Sequence, residues 1–210
     1  MVLAYHAIFA AYGFWLPNEQ RGSWSTEVWA PHLREFGPAT KTEERRSLAH
    51  RPFDRNLKHK AQLALKYPVV NFNGAQARAI ARGVADIVSK LRIPLYAFAI
   101  MPNHTHIVSG RHELSIEEIV GHLKRAATRQ LTRENLHPLS QYRSARGRVP
   151  SPWVENGWFR YLNDDEEIVG AIDYVWENPT KINLPHQPWW FLTRFKDWAP
   201  KNPTPRGRGG

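Results

Sequence analysis

The sequence predicts an α+β fold in which helices pack against one central antiparallel sheet. Strand-like and helix-like segments follow one another as strand, helix, strand, strand, helix and strand, and a last helix closes the series. Two of the strands are joined only by a turn at Pro102 and Asn103, so we expect them to pair as neighbours. Hydrophobic residues make up 42% of the 210 residues, which is enough for a core. This order of elements is typical of a ferredoxin-like sandwich.

The first part of the chain contains one strand and a long basic stretch. Residues 2–14 are β-prone and predict the first strand. Residues 15–60 are polar, strongly basic and interrupted by Pro and Gly. Because a plain connection of this length is unusual inside a compact domain, we interpret the stretch as an insertion or a nucleic-acid-facing excursion. We expect one domain over residues 1–198 and a mobile tail over residues 199–210, which are rich in Pro, Gly and Arg.

A helix and two strands come next. Over residues 73–91 apolar side chains recur at the spacing of a helix with one buried face, namely at Ala77, Ile80, Ala81, Val84, Ile87, Val88 and Leu91. Residues 93–101 and 104–110 predict the two strands on either side of the turn.

The following helix is predicted by its N-terminal signal. Ser115 and Glu118 have the spacing of a capping box, which predicts a helix over about residues 116–134. Its predicted outer face is basic and gives candidates for contacts with a phosphate backbone, Lys124, Arg125, Arg129 and Arg133. Taken singly, each of them is better explained as part of an ordinary solvated surface.

A short strand and the closing helix complete the fold. Residues 157–162 predict the strand. Asn163 or Asp164 then caps a helix over residues 164–178, whose first turn is acidic as the helix dipole favours, and Pro179 ends it.

Composition restricts the partners and the chemistry. The chain has 29 Lys and Arg against 19 Asp and Glu, a formal net charge of +10 and nine tryptophans, so we expect a phosphate-rich partner such as a nucleic acid. It has no cysteine, which excludes disulfides, iron-sulfur clusters and thiolate zinc sites. No apolar run reaches the roughly 18 residues of a membrane span, and we expect a soluble, intracellular protein with no membrane partner.

Two histidines form the first part of a candidate site. Side chains alternate faces along a strand, so His104 and His106 should point to the same side and lie within reach of one metal ion. Such a pair is also compatible with ordinary surface or hydrogen-bonded histidines, so it needs a partner.

The closing helix supplies that partner. At about 100° per residue, its apolar side chains form one stripe that should face the sheet, namely Ile168, Val169, Ile172, Val175 and Trp176. Tyr174 and Asn178 lie on another face, one turn apart. A tyrosine kept for packing would be expected in the stripe, although an ordinary half-exposed tyrosine remains an alternative.

Two motifs in this order resemble a known family. The chain reads "MPNHTHIV" and then, after a basic helix, "GWFRYLNDDEEIVGAIDYVWENPTK". This is similar to the single-tyrosine HUH transposases of the insertion-sequence 200/605 group, and within them to the REP-associated tyrosine transposases. The similarity runs over roughly residues 73–185, and "YHAIF" near the start resembles the family's first strand. Thr105, between the two histidines, replaces a residue that is usually bulky and apolar in the family.

The resemblance implies a function and roles for the site residues. It implies a ferredoxin-like domain of the HUH endonuclease type that acts on single-stranded or hairpin DNA as a homodimer. Tyr174 would be the nucleophile, His104 and His106 would be ligands of Mg²⁺ or Mn²⁺, and Asn178 would be a third ligand. Lys181, which follows the nucleophile's helix, is a further DNA-binding candidate. A protein of this kind is expected in the cytoplasm, associated with the nucleoid.

The implied reaction is chemically reasonable. A tyrosine hydroxyl with the ordinary pKa of about 10 is ionised to about one part in a thousand at pH 7, a penalty of about 4 kcal/mol for its use as a nucleophile. A divalent ion on the scissile phosphate would offset that penalty. Attack would leave a 5′-phosphotyrosine, so the ends could be rejoined without ATP.

Three other functions are compatible with parts of the pattern. The first is a non-catalytic, domesticated DNA-binding protein on the same fold, which the joint presence of the two histidines and the tyrosine disfavours. The second is an RNA-binding module, but the chain has no Gly-Phe-rich motif of the kind those modules use. The third is a hydrolase that activates water, for which Glu113 and Glu117 are the nearest acidic residues.

Overall fold

The computed structural model describes residues 1–14, 16, 31–37, 54–196 and 198–200. Its strands are β1 (Ala4–Ala11), β2 (Leu95–Ile100), β3 (His104–Gly110) and β4 (Trp153–Leu162). Its α-helices are α1 (Arg55–Leu63), α2 (Gly74–Leu91), α3 (Ile116–Arg133) and α4 (Asp165–Glu177). Short 3₁₀ helices span Pro31–Phe36, Ser140–Tyr142 and Pro179–Ile182.

The four strands form one sheet in the order β2-β3-β1-β4. β2 and β3 are antiparallel, with Ala99 opposite His106. β1 runs antiparallel to β4, because the amide of Leu3 donates to the carbonyl of Leu162 while that of Tyr12 donates to Pro152. This strand order, with α2 and α3 as the connecting helices, is the ferredoxin-like topology, so the predicted α+β fold class is confirmed.

Side-chain caps mark the starts of α2, α3 and α4, and those of α3 and α4 were predicted from the sequence. The Asn73 side chain accepts the amide of Gln76 at the start of α2, and the Ser115 side chain accepts the amide of Glu118 at the start of α3; both are capping boxes. Asp164, and not Asn163, caps α4 by accepting the amide of Glu167.

Two elements differ from the sequence expectation. β4 begins at Trp153, four residues before the predicted strand. Gly157, the first residue of the predicted strand, lies inside β4. A Cβ on Gly157 would lie 3.0 Å from the carbonyl oxygen of Ile8, so the glycine permits close approach of β1 and β4. Helix α1, capped by Asp54, begins within the stretch interpreted as an insertion and ends three residues beyond it. Most of residues 15–60 and residues 201–210 of the predicted tail lie outside the described residues.

The chain divides into two compact units. The first comprises Met1–Phe9, Phe72–His137 and Glu155–Gly210. The second comprises Ala10–Asn71 and Pro138–Val154, and it has a small apolar cluster of its own around Leu16, Leu33 and Ala61.

In the first unit, helices pack on both faces of the sheet. α4 packs against β2 and β3, and its residues Ile168, Ile172 and Val175 share a core with sheet residues Ala4, Ala97, Ala99, Val108 and Leu162. α3 lies on the other face, where its Lys124 contacts the ring of the buried Phe9. Since side chains alternate along a strand, α4 covers the face to which positions 6, 104 and 106 belong.

Candidate active site

The two histidines of β3 lie together on the face covered by α4. Their ring centroids are 4.8 Å apart. His106 is 2% exposed, whereas His104 is half-buried and its Nδ1 lies 2.7 Å from Oδ1 of Asn103 in the preceding turn. Strand alternation therefore places both imidazoles on one side, as the spacing predicted.

Tyr174 and Asn178 approach the same imidazole from α4. The ring centroid of Tyr174 is 5.5 Å from that of His106, and the Tyr174 side chain is 45% exposed. Asn178 is the C-cap of α4 and is 7% exposed; its Nδ2 lies 3.3 Å from Nε2 of His106. One helical turn separates the two residues, so α4 places a phenol and an amide beside the buried imidazole.

Lys181 belongs to the same group of residues. It lies in the 3₁₀ helix Pro179–Ile182, directly after α4, and its Nζ is 4.1 Å from the centroid of the Tyr174 ring. An ammonium in this position interacts favourably with the aromatic face, and it brings a positive charge next to the phenol.

One member of the site was missed from the sequence. His6 of β1 is 6% exposed, and its Nε2 lies 3.2 Å from Nδ1 of His106. Its ring also contacts Trp158 at 5.5 Å and Tyr174 at 5.6 Å between centroids. The missed signal is the strand order: once β1 is placed next to β3, an inward-facing histidine on β1 must lie near the histidine pair.

Burial keeps the two inner imidazoles neutral. It lowers the pKa of His6 to about 4, with a further contribution from the charge of Arg160. It also lowers the pKa of His106 well below the ordinary value, and His104, His6 and Lys181 add to the effect. A neutral imidazole is the form that binds metal ions.

The donor set fits a divalent ion held by two imidazoles and an amide. Within the described residues, no three His, Cys, Asp or Glu side chains are arranged to hold a metal ion. A site here would therefore use His104, His106 and the amide of Asn178, with water completing the shell. Nδ2 of Asn178 faces Nε2 of His106 in the structure, so the amide lies beside the position of such an ion but would have to turn over to present Oδ1 to it.

The predicted basic face of α3 divides into two parts. Arg125, Arg129 and Arg133 are exposed. Lys124 differs: its Nζ donates to the carbonyls of Glu155 and Asn156 at 3.0 and 3.2 Å, and burial lowers its pKa to about 8. The prediction that Lys124 shares the outer face with the arginines is therefore wrong, because its ammonium is directed to the backbone of β4.

A tryptophan must be accessible to stack on a base, and the tryptophans of the chain differ in this respect. Trp153 is buried, and Trp158 is half-buried against His6. Trp24 and Trp29 lie outside the described residues.

Comparisons with known proteins bear on the family. Residues 55–146 match the family model described as "Transposase IS200 like". No protein of curated function matches the sequence. None of the described helices has both the length and the hydrophobicity needed to cross a bilayer.

Two solved structures are similar to the chain. One is a REP-associated tyrosine transposase bound to a REP hairpin, with 11% identity and a TM-score of 0.44 over 86% of this chain and 68% of the other. The other is a candidate transposase from Deinococcus radiodurans R1, with 14% identity and a TM-score of 0.39 over 79% of this chain and 83% of the other. Both TM-scores are below 0.5, so these likenesses do not bear on the function of this chain.

The matched family segment contains His104 and His106, while Tyr174 lies beyond its end. The resemblance to the IS200-like transposases is thus confirmed over residues 55–146, which include the first of the two motifs.

Proposed function

We propose that this protein is a transposase-like nuclease that cuts and rejoins single-stranded or hairpin DNA through a covalent bond to Tyr174. One observation carries the proposal: a half-exposed tyrosine, two histidines and an asparagine from distant parts of the sequence meet within one chain. The family match supports a transposase. The tyrosine is accessible to a large substrate, while the imidazole beside it is buried and neutral.

A divalent ion, Mg²⁺ or Mn²⁺, would be held by His104, His106 and Asn178. When bound, such an ion neutralises charge on the scissile phosphate and polarises its non-bridging oxygen. Asn178 would have to present Oδ1, because its amide nitrogen has no lone pair to offer a metal.

Tyr174 performs the covalent step. Its phenolic oxygen attacks the phosphorus and forms a new P–O bond, and the phenolic proton passes to water. The bond from phosphorus to the 3′ oxygen of the neighbouring nucleotide breaks, and that oxygen takes up a proton as a free 3′ hydroxyl. The product is a 5′-phosphotyrosine that keeps the energy of the phosphodiester, so a 3′ hydroxyl can reverse the step and rejoin strands.

Basic residues near the site position the DNA. The Lys181 ammonium lies beside the Tyr174 ring, where it would attract the phosphate that the phenol attacks. The exposed Arg125, Arg129 and Arg133 on α3 would contact the backbone elsewhere. The homodimer implied by the resemblance is a separate proposal, which light scattering of the protein with and without DNA would test.

The test is covalent capture of DNA. Wild-type protein incubated with labelled single-stranded hairpin DNA and Mn²⁺ should give an adduct that survives SDS, and Tyr174→Phe should abolish it. Tyr161→Phe is the matched control, because Tyr161 is also an exposed tyrosine but lies on the sheet face opposite to the histidines, and it should retain the adduct. An adduct that persists in Tyr174→Phe would refute the nucleophile. Tight DNA binding without any adduct from the wild type would favour the non-catalytic alternative.

A further inference from the structure

His6 occupies a position that the proposed reaction does not explain. It is buried in β1, with 6% of its surface exposed. Its Nε2 lies 3.2 Å from Nδ1 of His106, on the opposite side of the His106 ring from Asn178. His106 is therefore held at both ring nitrogens by protein groups.

The two contacts determine where the proton of His106 lies. The group of Asn178 that faces Nε2 of His106 is the amide nitrogen Nδ2, which can only donate, so Nε2 must accept. A neutral imidazole has one donor and one acceptor nitrogen, so the proton of His106 lies on Nδ1. His106 Nδ1 then donates to Nε2 of His6, and His6 carries its own proton on Nδ1.

Contacts with neighbouring rings fix the orientation of His6. Its ring lies nearly parallel to that of His106, with an interplanar angle of 22°, and edge-on contacts with Trp158 and Tyr174 surround it. Rotation that would turn Nε2 away from His106 would disturb both of these contacts. The acceptor is therefore held in place by packing.

We infer that His6 is a positioning residue: its Nε2 accepts the Nδ1 hydrogen of His106 and so keeps Nε2 of His106 unprotonated and directed toward Asn178, ready to bind the metal ion. The inference rests on the proposed function for the identity of the ion. Metal-binding histidines commonly donate their second ring nitrogen to a carboxylate, a carbonyl or water, and here another imidazole takes that place. The role requires an acceptor at this point, not a charge.

Two substitutions of His6 separate its role as a hydrogen-bond acceptor from its role in packing. In His6→Gln, the terminal Oε1 falls near the place of Nε2 and can accept the same hydrogen. In His6→Phe, the ring packing is retained and the acceptor is lost. A role limited to packing predicts that Phe is the better replacement, whereas the positioning role predicts that Gln is.

The first measurement is the tautomer of His106, read from ¹⁵N chemical shifts of its ring nitrogens in the full chain without metal or DNA. The wild type and His6→Gln should show the proton on Nδ1 of His106, and His6→Phe should lose this preference. A proton on Nε2 of His106 in the wild type would overturn the inference, whatever the protein does to DNA.

The second measurement is Mn²⁺ affinity without DNA, by titration calorimetry, with the melting temperature as a check on folding. His6→Phe should bind Mn²⁺ about 10-fold to 100-fold more weakly than the wild type, and His6→Gln should recover most of the loss. Equal Mn²⁺ affinity in the wild type and in folded His6→Phe would overturn the inference. Failure of the proposed function would appear differently, as a wild type that has the expected tautomer but forms no adduct with DNA.

Discussion

Among single residues, those of β3 alternate between the two faces of the sheet, so the candidate metal ligands lie on one face and a packed side chain lies on the other. His104 and His106 face α4 and the candidate site, while Thr105 between them points to the opposite face and is fully buried. The Oγ1 atom of Thr105 has no hydrogen-bond partner among the described residues. A buried hydroxyl of this kind costs free energy that an apolar side chain would not.

Replacing that hydroxyl should therefore stabilise the protein. Thr105→Val keeps the shape of the side chain and removes the unpaired polar atom, so we expect the free energy of unfolding to rise by about 1 kcal/mol. Urea denaturation measures it. Thr128→Val is the matched control, because Oγ1 of Thr128 donates to the carbonyl of Lys124, and this variant should gain nothing. A less stable Thr105→Val would show that the hydroxyl is satisfied.

At the scale of elements, one glycine sets the separation of α2 and α3. A Cβ at Gly83 would lie 2.6 Å from the carbonyl oxygen of Ala126 and 2.8 Å from Cβ of Gln130, so the two helices touch there through backbone. A Cβ at Gly170 in α4 would have no heavy atom of the described residues within 4 Å, apart from its own helix backbone. The two glycines are both within helices, but only the first is required by packing.

This contrast gives a paired prediction. Gly83→Ala should lower the free energy of unfolding by about 2 kcal/mol, because the helices must move apart. Gly170→Ala should raise it by about 0.5–1 kcal/mol, because alanine favours a helix more than glycine does. Thermal denaturation of both variants is the measurement, and a neutral Gly83→Ala would contradict the described contact between α2 and α3.

An ion pair between α2 and the end of α3 gives a dependence on pH. The hydrogen bond from Arg82 lowers the pKa of Glu134 to about 2, and a hydrogen bond from Gln130 adds to it. A folded-state pKa below the unfolded value stabilises the protein above about pH 4.5, and that contribution is lost as the pH falls toward 2.

Removing Arg82 should make the free energy of unfolding depend less on pH between about 4.5 and about 2. Arg82→Met should be less stable than the wild type at neutral pH, and the difference should shrink as the pH falls from about 4.5 to about 2. Urea denaturation at a series of pH values measures it. Arg78→Met, which removes another exposed arginine of α2, should keep the wild-type dependence. An unchanged difference across this range would mean that the pair does not form.

The elements show which features can be predicted from sequence. Hydrophobic periodicity located α2, a capping box located α3, and an N-cap residue with an acidic first turn located α4, because these signals are local. Strand alternation likewise placed His104 and His106 on one face. His6 was missed because its partner lies 100 residues away, and its role depends on the pairing of β1 with β3. Lys124 was misplaced because a long side chain can bend back to backbone carbonyls, which helical spacing does not reveal.

At the scale of the whole molecule, the site exists only in the folded chain. Its residues come from β1, β3, and α4 with its C-terminal end, so the unfolded chain has no such arrangement. An ion that binds this arrangement binds the folded state alone and must stabilise it.

Metal ions should therefore raise the melting temperature in a site-dependent way. Mn²⁺ at about 100 times its dissociation constant should stabilise the wild type by about 2.7 kcal/mol. The stabilisation should disappear in His104→Ala and persist in His59→Ala, whose histidine is exposed on α1. Differential scanning calorimetry with and without EDTA measures it. Equal stabilisation of all three proteins would place the ion elsewhere.

The central claim is that Tyr174 becomes bonded to a 5′ phosphate, and mass spectrometry of the captured adduct tests it most directly. After trimming of the DNA and digestion with trypsin, the peptide that ends at Lys181 and contains both Tyr161 and Tyr174 should carry a nucleotide, and fragmentation should place it on Tyr174 through a 5′ phosphate. A nucleotide on Tyr161 or on any other residue, or a linkage through a 3′ phosphate, would contradict the account.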